Sequence, residues 1–436
     1  MAQTNPAPSR VPCFRRASAL LVSVGITALT FLLIFNLSTS EKKLKYLLQS
    51  PYATGDEQFV RAVGQLLGPP LAEGNRVKAF MNGKEIFPAM LKAIRSAEQS
   101  ITFETYIYWS GEIGKQFAEA LSERAHHGAK VHVLLDWAGS AKIEKAYLDK
   151  MRDAGVEVEQ FHPIRWYTLS RLNNRTHRKL LVVDGKIGFT GGVGIADNWT
   201  GDANDAEHWR DSHYQIEGPA VAQMQAAFMD NWIKVRGVLL DGEKYFPPLR
   251  AVGGSLAQVF KSSRDEGSES VRLMYLLSIA SARQSIRLAA AYFVPDDLAV
   301  EELVKARHRG VLVDVVVPGP IMDAQVVQKA SRARWGRLIE AGISIFEYQP
   351  TMYHCKVLIV DDQWVSVGST NFDTRSFRLN AEANLNILDR EFALEQAGYF
   401  EADKARSHLM TAEKYARRPM TEKLGEKLSE LLRSQL

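Results

Sequence analysis

Apolar and polar positions follow a pattern that repeats in the two halves of the chain. In Ala120–Asp136, apolar residues at helical spacing are followed by a glycine and then by a continuous apolar run, and Glu302–Gly319 has the same order. This order predicts a helix, a glycine stop and a buried strand. Upstream, Ile94–Trp109 and Ile279–Phe293 both read as a helix end that runs into a strand. The offset between equivalent segments stays within about 177 to 185 residues, so the chain contains an internal duplication.

Each repeat also carries the pattern His-x-Lys-x-x-x-x-Asp. The residues are His177, Lys179 and Asp184 in the first copy, and His354, Lys356 and Asp361 in the second. The apolar runs Leu180–Val183 and Val357–Val360 follow and predict buried strands, so alternation places each His and Lys on one face of an extended segment. An imidazole beside a fixed cation suits attack on a phosphate, because His supplies a nucleophile or a proton and Lys screens the anionic oxygens. Two such sets suggest one site built from two halves.

The duplicated motif and its surroundings resemble the phospholipase D superfamily, and within it the bacterial cardiolipin synthases. The resemblance covers roughly Val77 to Met410 and includes the segments FETYIYWSGEIG, HWRDSHYQIEGPAV, AAYFVPDD and GSTNFDTRSFRLNAEANL. It implies an α/β fold of two tandem phospholipase D-like domains, each a mixed β-sheet flanked by helices, related by a pseudo-twofold axis with the active site at their interface. It also implies phosphodiester exchange through a covalent phosphohistidine, with no metal and no other cofactor.

Further site residues are expected from this resemblance. Ser369 and Asn371 occur at the family's spacing for side chains that contact the phosphate, and their hydroxyl and amide can donate to its oxygens. Glu382 matches a carboxylate that bonds the far nitrogen of the catalytic histidine, which fixes the tautomer and stabilises the imidazolium. Asp211, in HWRD, is its counterpart in the first half. These four residues complete the predicted site.

The first half departs from the family pattern. It has Gly192 and Gly194 where many relatives have Ser or Gly and then Asn, so the usual amide donor is missing. Backbone N–H groups of the glycine-rich turn could replace it. The two halves are therefore expected to be electrostatically unequal. The motif aspartates, Asp184 and Asp361, occur at strand ends and are mainly structural in the family, although they belong to the catalytic motif.

Length, charge and cysteine content agree with two enzyme domains. The chain has 436 residues, too many for one ordinary core. Its net charge of +4 is not typical of a nucleic-acid-binding protein. Two cysteines, Cys13 and Cys355, provide neither a disulfide framework nor a zinc cluster. In a strand, Cys355 points away from its neighbours His354 and Lys356, which favours a packing role.

The amino-terminal part contains a long uncharged apolar stretch. Residues 17–37 are enough to span a bilayer and predict an uncleaved single-pass anchor, in a bacterial inner membrane given the resemblance. A signal peptide is the alternative, since a basic segment precedes the stretch. Its orientation stays open because the flanking charges nearly balance: Arg10, Arg15 and Arg16 before it, and Lys42, Lys43 and Lys45 after it.

These features divide the chain into six predicted regions. They are a tail (1–16), a transmembrane helix (17–37), a connector (38–76), domain 1 (77–250), domain 2 (251–410) and an amphipathic tail (411–436). Ala251–Ser270, with its Gly and Ser residues, is expected to be the junction between the domains. The carboxy-terminal tail could lie on a membrane or pack on a domain. Pro163–Arg175 could contact lipid headgroups through Trp166 and Tyr167, or form a loop beside the substrate.

The sequence therefore predicts a membrane phosphatidyltransferase that acts on phospholipids. Lys179, Lys356, Ser369 and Asn371 would bind the phosphodiester. By analogy with the family, His177 would attack phosphorus and His354 would protonate the departing alcohol. Transfer to phosphatidylglycerol gives cardiolipin, whereas transfer to water gives phosphatidic acid, so a phospholipase D hydrolase is the alternative. A tethered nuclease and a non-catalytic binding module are further alternatives, and no obligate protein partner is inferred.

Overall fold

In the computed structural model of the protein, residues 20–31, 52–163, 173–263 and 270–430 are described. The helices are α1 (20–31), α2 (Glu57–Leu67), α3 (Asn82–Arg95), α4 (Glu112–His126), α5 (Lys145–Asp153), α6 (Val221–Arg236), α7 (Ser270–Ser281), α8 (Asp297–His308), α9 (Gln325–Ala333), α10 (Trp335–Glu340), α11 (Thr374–Arg378), α12 (Arg390–Ala405), α13 (Ala412–Ala416) and α14 (Met420–Glu430).

The strands are β1 (Ala72–Met81), β2 (Ser100–Thr105), β3 (Lys130–Asp136), β4 (Glu157–Phe161), β5 (Leu180–Val183), β6 (Ile187–Gly191), β7 (Ser212–Glu217), β8 (Ser255–Ser262), β9 (Ser285–Ala290), β10 (Phe293–Val294), β11 (Leu312–Pro318), β12 (Ser344–Tyr348), β13 (Lys356–Val360), β14 (Trp364–Gly368), β15 (Phe372–Asp373), β16 (Glu382–Leu388) and β17 (Ser407–Leu409). The repeated helix, glycine stop and strand are thus present as predicted, in α4 and β3 and again in α8 and β11.

Fifteen of these strands form one continuous mixed sheet that spans both halves of the chain. Its order is β17-β12-β11-β9-β13-β14-β16-β8-β1-β7-β6-β5-β2-β3-β4. The antiparallel pair β1 and β8 lies at the centre of the sheet. On each side of it, four antiparallel pairings are followed by two parallel pairings, so the two halves of the sheet have the same arrangement over most of their length. The α/β fold implied by the resemblance and the two-half organisation predicted from the duplication are therefore observed, but the separate sheets expected for the two halves are joined into one by the pairing of β1 with β8.

Helices cover both faces of the sheet, which explains why its inner strands are continuous apolar runs. On one face, α6 and α12 pack in a single cluster that contains Trp232 and Phe400, together with strand residues of both halves. On the other face, the two halves have separate clusters. In β5, alternate residues belong to different faces: Leu180 and Val182 lie in the shared cluster, and Leu181 lies in the opposite one. The shared cluster fixes the two halves against each other.

The motif aspartates close equivalent turns at the far ends of β5 and β13. Asp184 and Asp361 both have positive φ angles, 53° and 54°. The Asp184 carboxylate accepts hydrogen bonds from the backbone N–H groups of residues 98–100, and that of Asp361 from those of residues 283–285. Each aspartate thereby ties the strand of its motif to the start of the neighbouring strand, β2 or β9. These contacts support the structural role expected for both residues.

The segment Ala251–Ser270, predicted as the junction between the domains, contains a strand. Ser255–Ser262 forms β8, a central strand that pairs with β1 and β16. The Gly and Ser residues around it suggested a loop, but long-range pairing on both sides outweighs this local preference. Strand β1 likewise begins at Ala72, inside the segment expected to be a connector.

The terminal predictions are only partly covered by the structure. Residues 20–31 are helical, whereas the rest of the predicted membrane segment 17–37 and the residues Trp166 and Tyr167 lie outside the described ranges. Among the described residues, no helix combines the length and apolarity required to cross a bilayer. The membrane anchor therefore stays a prediction. The tail contains the expected helix, α14.

Candidate active site

The two His-x-Lys segments meet at one cavity of about 750 Å³ between the halves of the molecule. Both histidines line it, although His177 and Lys179 precede strand β5 and do not belong to it. Each histidine is held by the backbone of the opposite half: the His177 N–H donates to the Ala381 carbonyl at 2.8 Å, and the His354 N–H to the Arg210 carbonyl at 2.7 Å. The single site predicted from two motifs is thus assembled by contacts that cross between the halves.

Each imidazole is paired with a buried carboxylate from the other half. His177 Nδ1 lies 3.0 and 3.1 Å from the two oxygens of Glu382, and His354 Nδ1 lies 2.7 Å from Asp211 Oδ2. Neither carboxylate is exposed to solvent. A carboxylate only accepts hydrogen bonds, so each Nδ1 carries the proton and each Nε2 keeps its lone pair. The structure therefore brings together the histidines and carboxylates that the sequence singled out, in exchanged pairs.

Burial has the largest effect on the pKa values of the two histidines. It lowers the pKa of His177 to about 4, against the opposing effect of Glu382. Burial and then the Lys356 charge also lower the pKa of His354. For Glu382, burial alone would raise the pKa, but His177 and Lys179 outweigh it and the pKa is lowered. The site thus combines neutral imidazoles with ionised carboxylates, as a nitrogen nucleophile requires.

The two lysines occupy equivalent buried positions. Lys179 Nζ and Lys356 Nζ each donate to the carbonyl of the histidine two residues earlier, at 2.8 Å. Burial lowers the pKa of Lys179 to about 7 and lowers that of Lys356 as well. A bound phosphodiester anion would restore the charged form of both, because an opposite charge close by favours ionisation.

The Ser369 hydroxyl faces the carboxylate of Glu382. It donates to Glu382 Oε2 at 2.5 Å and accepts from the Ala383 N–H at 3.0 Å, and the residue is fully buried outside the cavity lining. In this arrangement the Ser369 hydroxyl supports the carboxylate, and the phosphate contact expected of it stays a prediction. Asn371 does line the cavity, and its buried Oδ1 has no hydrogen-bond partner among the described residues.

The glycines of the first half have a structural explanation. A Cβ on Gly192 would lie 2.1 Å from Asp211 Oδ1, so the glycine makes room for the carboxylate that holds His354. The Gly192 N–H donates to the Ser212 carbonyl at 3.0 Å, so this N–H group of the turn is already engaged. A Cβ on Gly194 would lie 2.8 Å from that of Ile107. The space for a larger side chain is thus already filled in this half.

Aromatic residues that the sequence did not single out surround the imidazoles. The Tyr106 ring lies 5.1 Å from that of His177, and the rings of Trp199 and Trp209 lie 5.2 and 5.6 Å from that of His354. Trp199 Nε1 also donates to Asp211 Oδ2 at 2.9 Å, the role that the Ser369 hydroxyl has in the other half. All three occur in or beside segments that carry the family resemblance, yet no local signal distinguishes them from core aromatics. Cys355 is buried and packed in the core, as predicted.

Comparisons with known proteins identify relatives over most of the chain. A family profile described as "Cardiolipin synthase, PLD-like domain" matches residues 90–232 and 275–404. The cardiolipin synthase of Geobacillus kaustophilus is 34% identical over 385 residues, which cover 88% of this chain and 76% of that protein. Cardiolipin synthase 2 of Staphylococcus epidermidis is 33% identical over 90% of this chain and 82% of its own length.

Among solved structures, the phosphatidylserine synthase of Haemophilus influenzae has a similar fold. It superposes with a TM-score of 0.68 and 14% identity, over 86% of this chain and 99% of that protein. At this identity the likeness concerns the fold alone.

Proposed function

Because the chain belongs to the cardiolipin synthase family of the phospholipase D superfamily, we propose that it is a phosphatidyltransferase that forms cardiolipin from two molecules of phosphatidylglycerol and releases glycerol. The observation that carries this proposal is the exchanged arrangement of the two His–carboxylate pairs on one cavity. Two imidazoles that face one space can act on the two opposite bonds of a single phosphorus.

The first half of the reaction forms a covalent intermediate. The lone pair of His177 Nε2 attacks the donor's phosphorus, and the bond from phosphorus to the glycerol oxygen breaks. His354 protonates this oxygen, so that glycerol leaves neutral. The negative charge of the bound phosphodiester favours the charged form of His354, which is the form that can act as the acid. Lys179 and Lys356 stabilise the negative charge on the non-bridging oxygens.

The second half reverses this geometry with a different alcohol. The terminal hydroxyl of a second phosphatidylglycerol gives its proton to His354 and attacks phosphorus, and the bond to His177 breaks. Glu382 and Asp211 hold the two rings in the required tautomer throughout. The product is cardiolipin, and both imidazoles return to their starting states.

Action at a bilayer surface is supported by helix α14. Its apolar residues Met420, Leu424 and Leu428 are exposed, whereas Glu426 on its opposite side is buried. The helix packs against α9, which contributes Val327 to the cavity lining. An exposed apolar stripe next to the cavity is suited to insertion at a lipid interface. Together with an anchor at residues 17–37 in a bacterial inner membrane, it would keep the site where phosphatidylglycerol can compete with water.

The test is a product analysis. The purified full-length protein is incubated with vesicles that contain phosphatidylglycerol, and cardiolipin, phosphatidic acid and glycerol are quantified. We expect one glycerol for each cardiolipin and little phosphatidic acid. Glycerol accompanied only by phosphatidic acid would show a hydrolase and contradict the proposal.

A further inference from the structure

Two arginines outside the His-x-Lys motifs converge on the wall of the cavity. Arg175 comes from the first half and Arg375 from helix α11 of the second, and both line the cavity beside His177. The guanidinium of Arg175 stacks on Trp137 with its central carbon 4.7 Å from the ring centroid. Arg375 is fixed by two hydrogen bonds to Asn173, at 2.9 and 3.1 Å. Both cations are therefore held in place before any ligand binds.

Arg175 keeps an unused hydrogen-bond donor beside the charge of Arg375. Nη1 of Arg175 is buried and lacks a hydrogen-bond partner within the described part of the chain. Burial lowers the pKa of Arg375, and the positive charge of Arg175 contributes to this shift. Two guanidinium groups that destabilise each other in a half-enclosed cavity favour the binding of an anion between them.

The nearby carboxylates are engaged elsewhere. Asp136 accepts hydrogen bonds from the backbone N–H groups of residues 138, 139 and 176. Asp373 caps α11 by accepting from the Ser376 N–H, and Asp323 accepts from the Tyr292 hydroxyl. These three carboxylates reduce the positive charge around the arginines, but their own hydrogen bonds orient them toward other groups.

We propose that Arg175 and Arg375 form a second anion subsite, which binds the phosphodiester of the acceptor phospholipid while the two histidines act on the donor. This inference rests on the proposed function. Arg175 precedes His177 by two residues in an extended segment, so both side chains point to the same side, at roughly 6–7 Å along the backbone. The three-carbon glycerol of the acceptor separates its hydroxyl from its own phosphate by a comparable length.

The subsite would give the enzyme a preference for charged acceptor alcohols. The two lysines offset the charge of the donor, and the two arginines offset that of the acceptor. A neutral alcohol such as glycerol can occupy the acceptor position but gains nothing from the arginines. Selection of an anionic acceptor over a neutral one is therefore the property to measure.

The experiment compares two soluble acceptors, radiolabelled glycerol 3-phosphate and radiolabelled glycerol, with phosphatidylglycerol as the donor. In Arg175→Gln we expect kcat/KM for glycerol 3-phosphate to fall by about tenfold or more, mainly through KM, because a charge-assisted contact is lost. Glycerol exchange should stay within about twofold of the wild type. Arg175→Lys, which keeps the charge, should recover part of the preference, and Arg375→Gln should resemble Arg175→Gln.

Arg124→Gln is the matched control. Arg124 is also partly buried and donates to backbone carbonyls, but it lies away from the cavity. We expect it to leave the acceptor preference unchanged. Equal losses with both acceptors in folded Arg175→Gln and Arg375→Gln proteins, or no loss in either, would overturn the subsite.

Failure of the proposed function would look different. If the wild-type protein transfers phosphatidyl groups to no acceptor, the transferase proposal is wrong, and the subsite is then tested by calorimetric binding of glycerol 3-phosphate. Binding that is weakened about tenfold by Arg175→Gln would support the subsite, and binding that Arg175→Gln does not change would overturn it.

Discussion

Replacing Glu382 by glutamine removes one negative charge from the site and keeps the shape of the side chain. Both Glu382 oxygens lie about 3 Å from His177 Nδ1, so the glutamine can still accept one hydrogen bond from the ring. In the proposed reaction, the change removes the stabilisation of the positive charge that would develop on the imidazole as His177 attacks phosphorus. Ser369, which donates to the same carboxylate, stays in place to hold the amide.

The contacts of Glu382 set a lower and an upper limit on the loss of kcat expected for Glu382→Gln. A charge-assisted hydrogen bond exceeds a neutral one by roughly 1–1.5 kcal/mol, which sets the lower limit. Coulomb attraction at 3 Å with an effective dielectric constant of about 20 gives roughly 5 kcal/mol as the upper limit. Since about 1.4 kcal/mol corresponds to a factor of ten, these limits correspond to about tenfold and a few thousandfold, and we expect kcat to fall between them, by roughly 10²- to 10³-fold.

The assay is release of labelled glycerol from phosphatidylglycerol, with circular dichroism to verify folding. Glu302→Gln is the matched control, because Glu302 is equally buried but pairs with Lys305 on α8, away from the cavity. It should retain wild-type kcat. A folded Glu382→Gln protein whose kcat falls by less than about threefold would refute the argument that this carboxylate stabilises the reacting imidazole.

Three further predictions concern the pH dependence of activity, the close contact between Gly192 and Asp211, and the effect of metal chelation. The kcat/KM profile should lose activity as the pH falls through about 4, where His177 becomes protonated. It should also lose activity as the pH rises, first where the acid His354 loses its proton and then, at about 7, where Lys179 does; a flat profile from pH 6 to 9 would contradict the need for these two charged groups. Gly192→Ala should reduce kcat strongly and lower the free energy of unfolding by about 1–3 kcal/mol, because its Cβ displaces Asp211. Gly254→Ala is the control, since a Cβ there meets no atom within 4 Å, and it should change neither kcat nor stability. If Gly192→Ala keeps full activity, the close contact with Asp211 is irrelevant to catalysis. Exhaustive chelation with EDTA should leave turnover intact, since lysines and histidines supply the positive charge; a loss that a divalent ion restores would disprove this.

The sequence predicted the elements whose signals are local. Glycine stops and apolar runs located α4, β3 and β5, because helix ends and buried strands depend on neighbouring residues. Duplication then paired the two motifs, and the family resemblance pointed to Asp211 and Glu382. Strand β8 was missed because its glycine- and serine-containing surroundings resemble a linker, and only pairing with β1 and β16 reveals it as a central strand.

Contacts between distant residues were beyond the reach of the sequence. Glu382 lies 205 residues from His177, and Asp211 lies 143 residues from His354, so the exchange of carboxylates between the halves leaves no local pattern. Ser369 was assigned to the phosphate because its spacing fits, and its orientation toward Glu382 could be learned only from the packed site. The arginine pair likewise joins residues 200 positions apart.

The central claim is that one imidazole from each half acts on the same phosphorus, and a phosphatidyl ester of p-nitrophenol tests it most directly. This leaving group departs without an acid, so His354→Ala should still form the intermediate but lack the base that activates the acceptor. We predict a burst of about one p-nitrophenol per His354→Ala protein, then a stall, with the phosphatidyl group on the peptide that contains His177; His177→Ala should show no burst. Steady turnover in both variants, or a burst only in His177→Ala, would contradict the account.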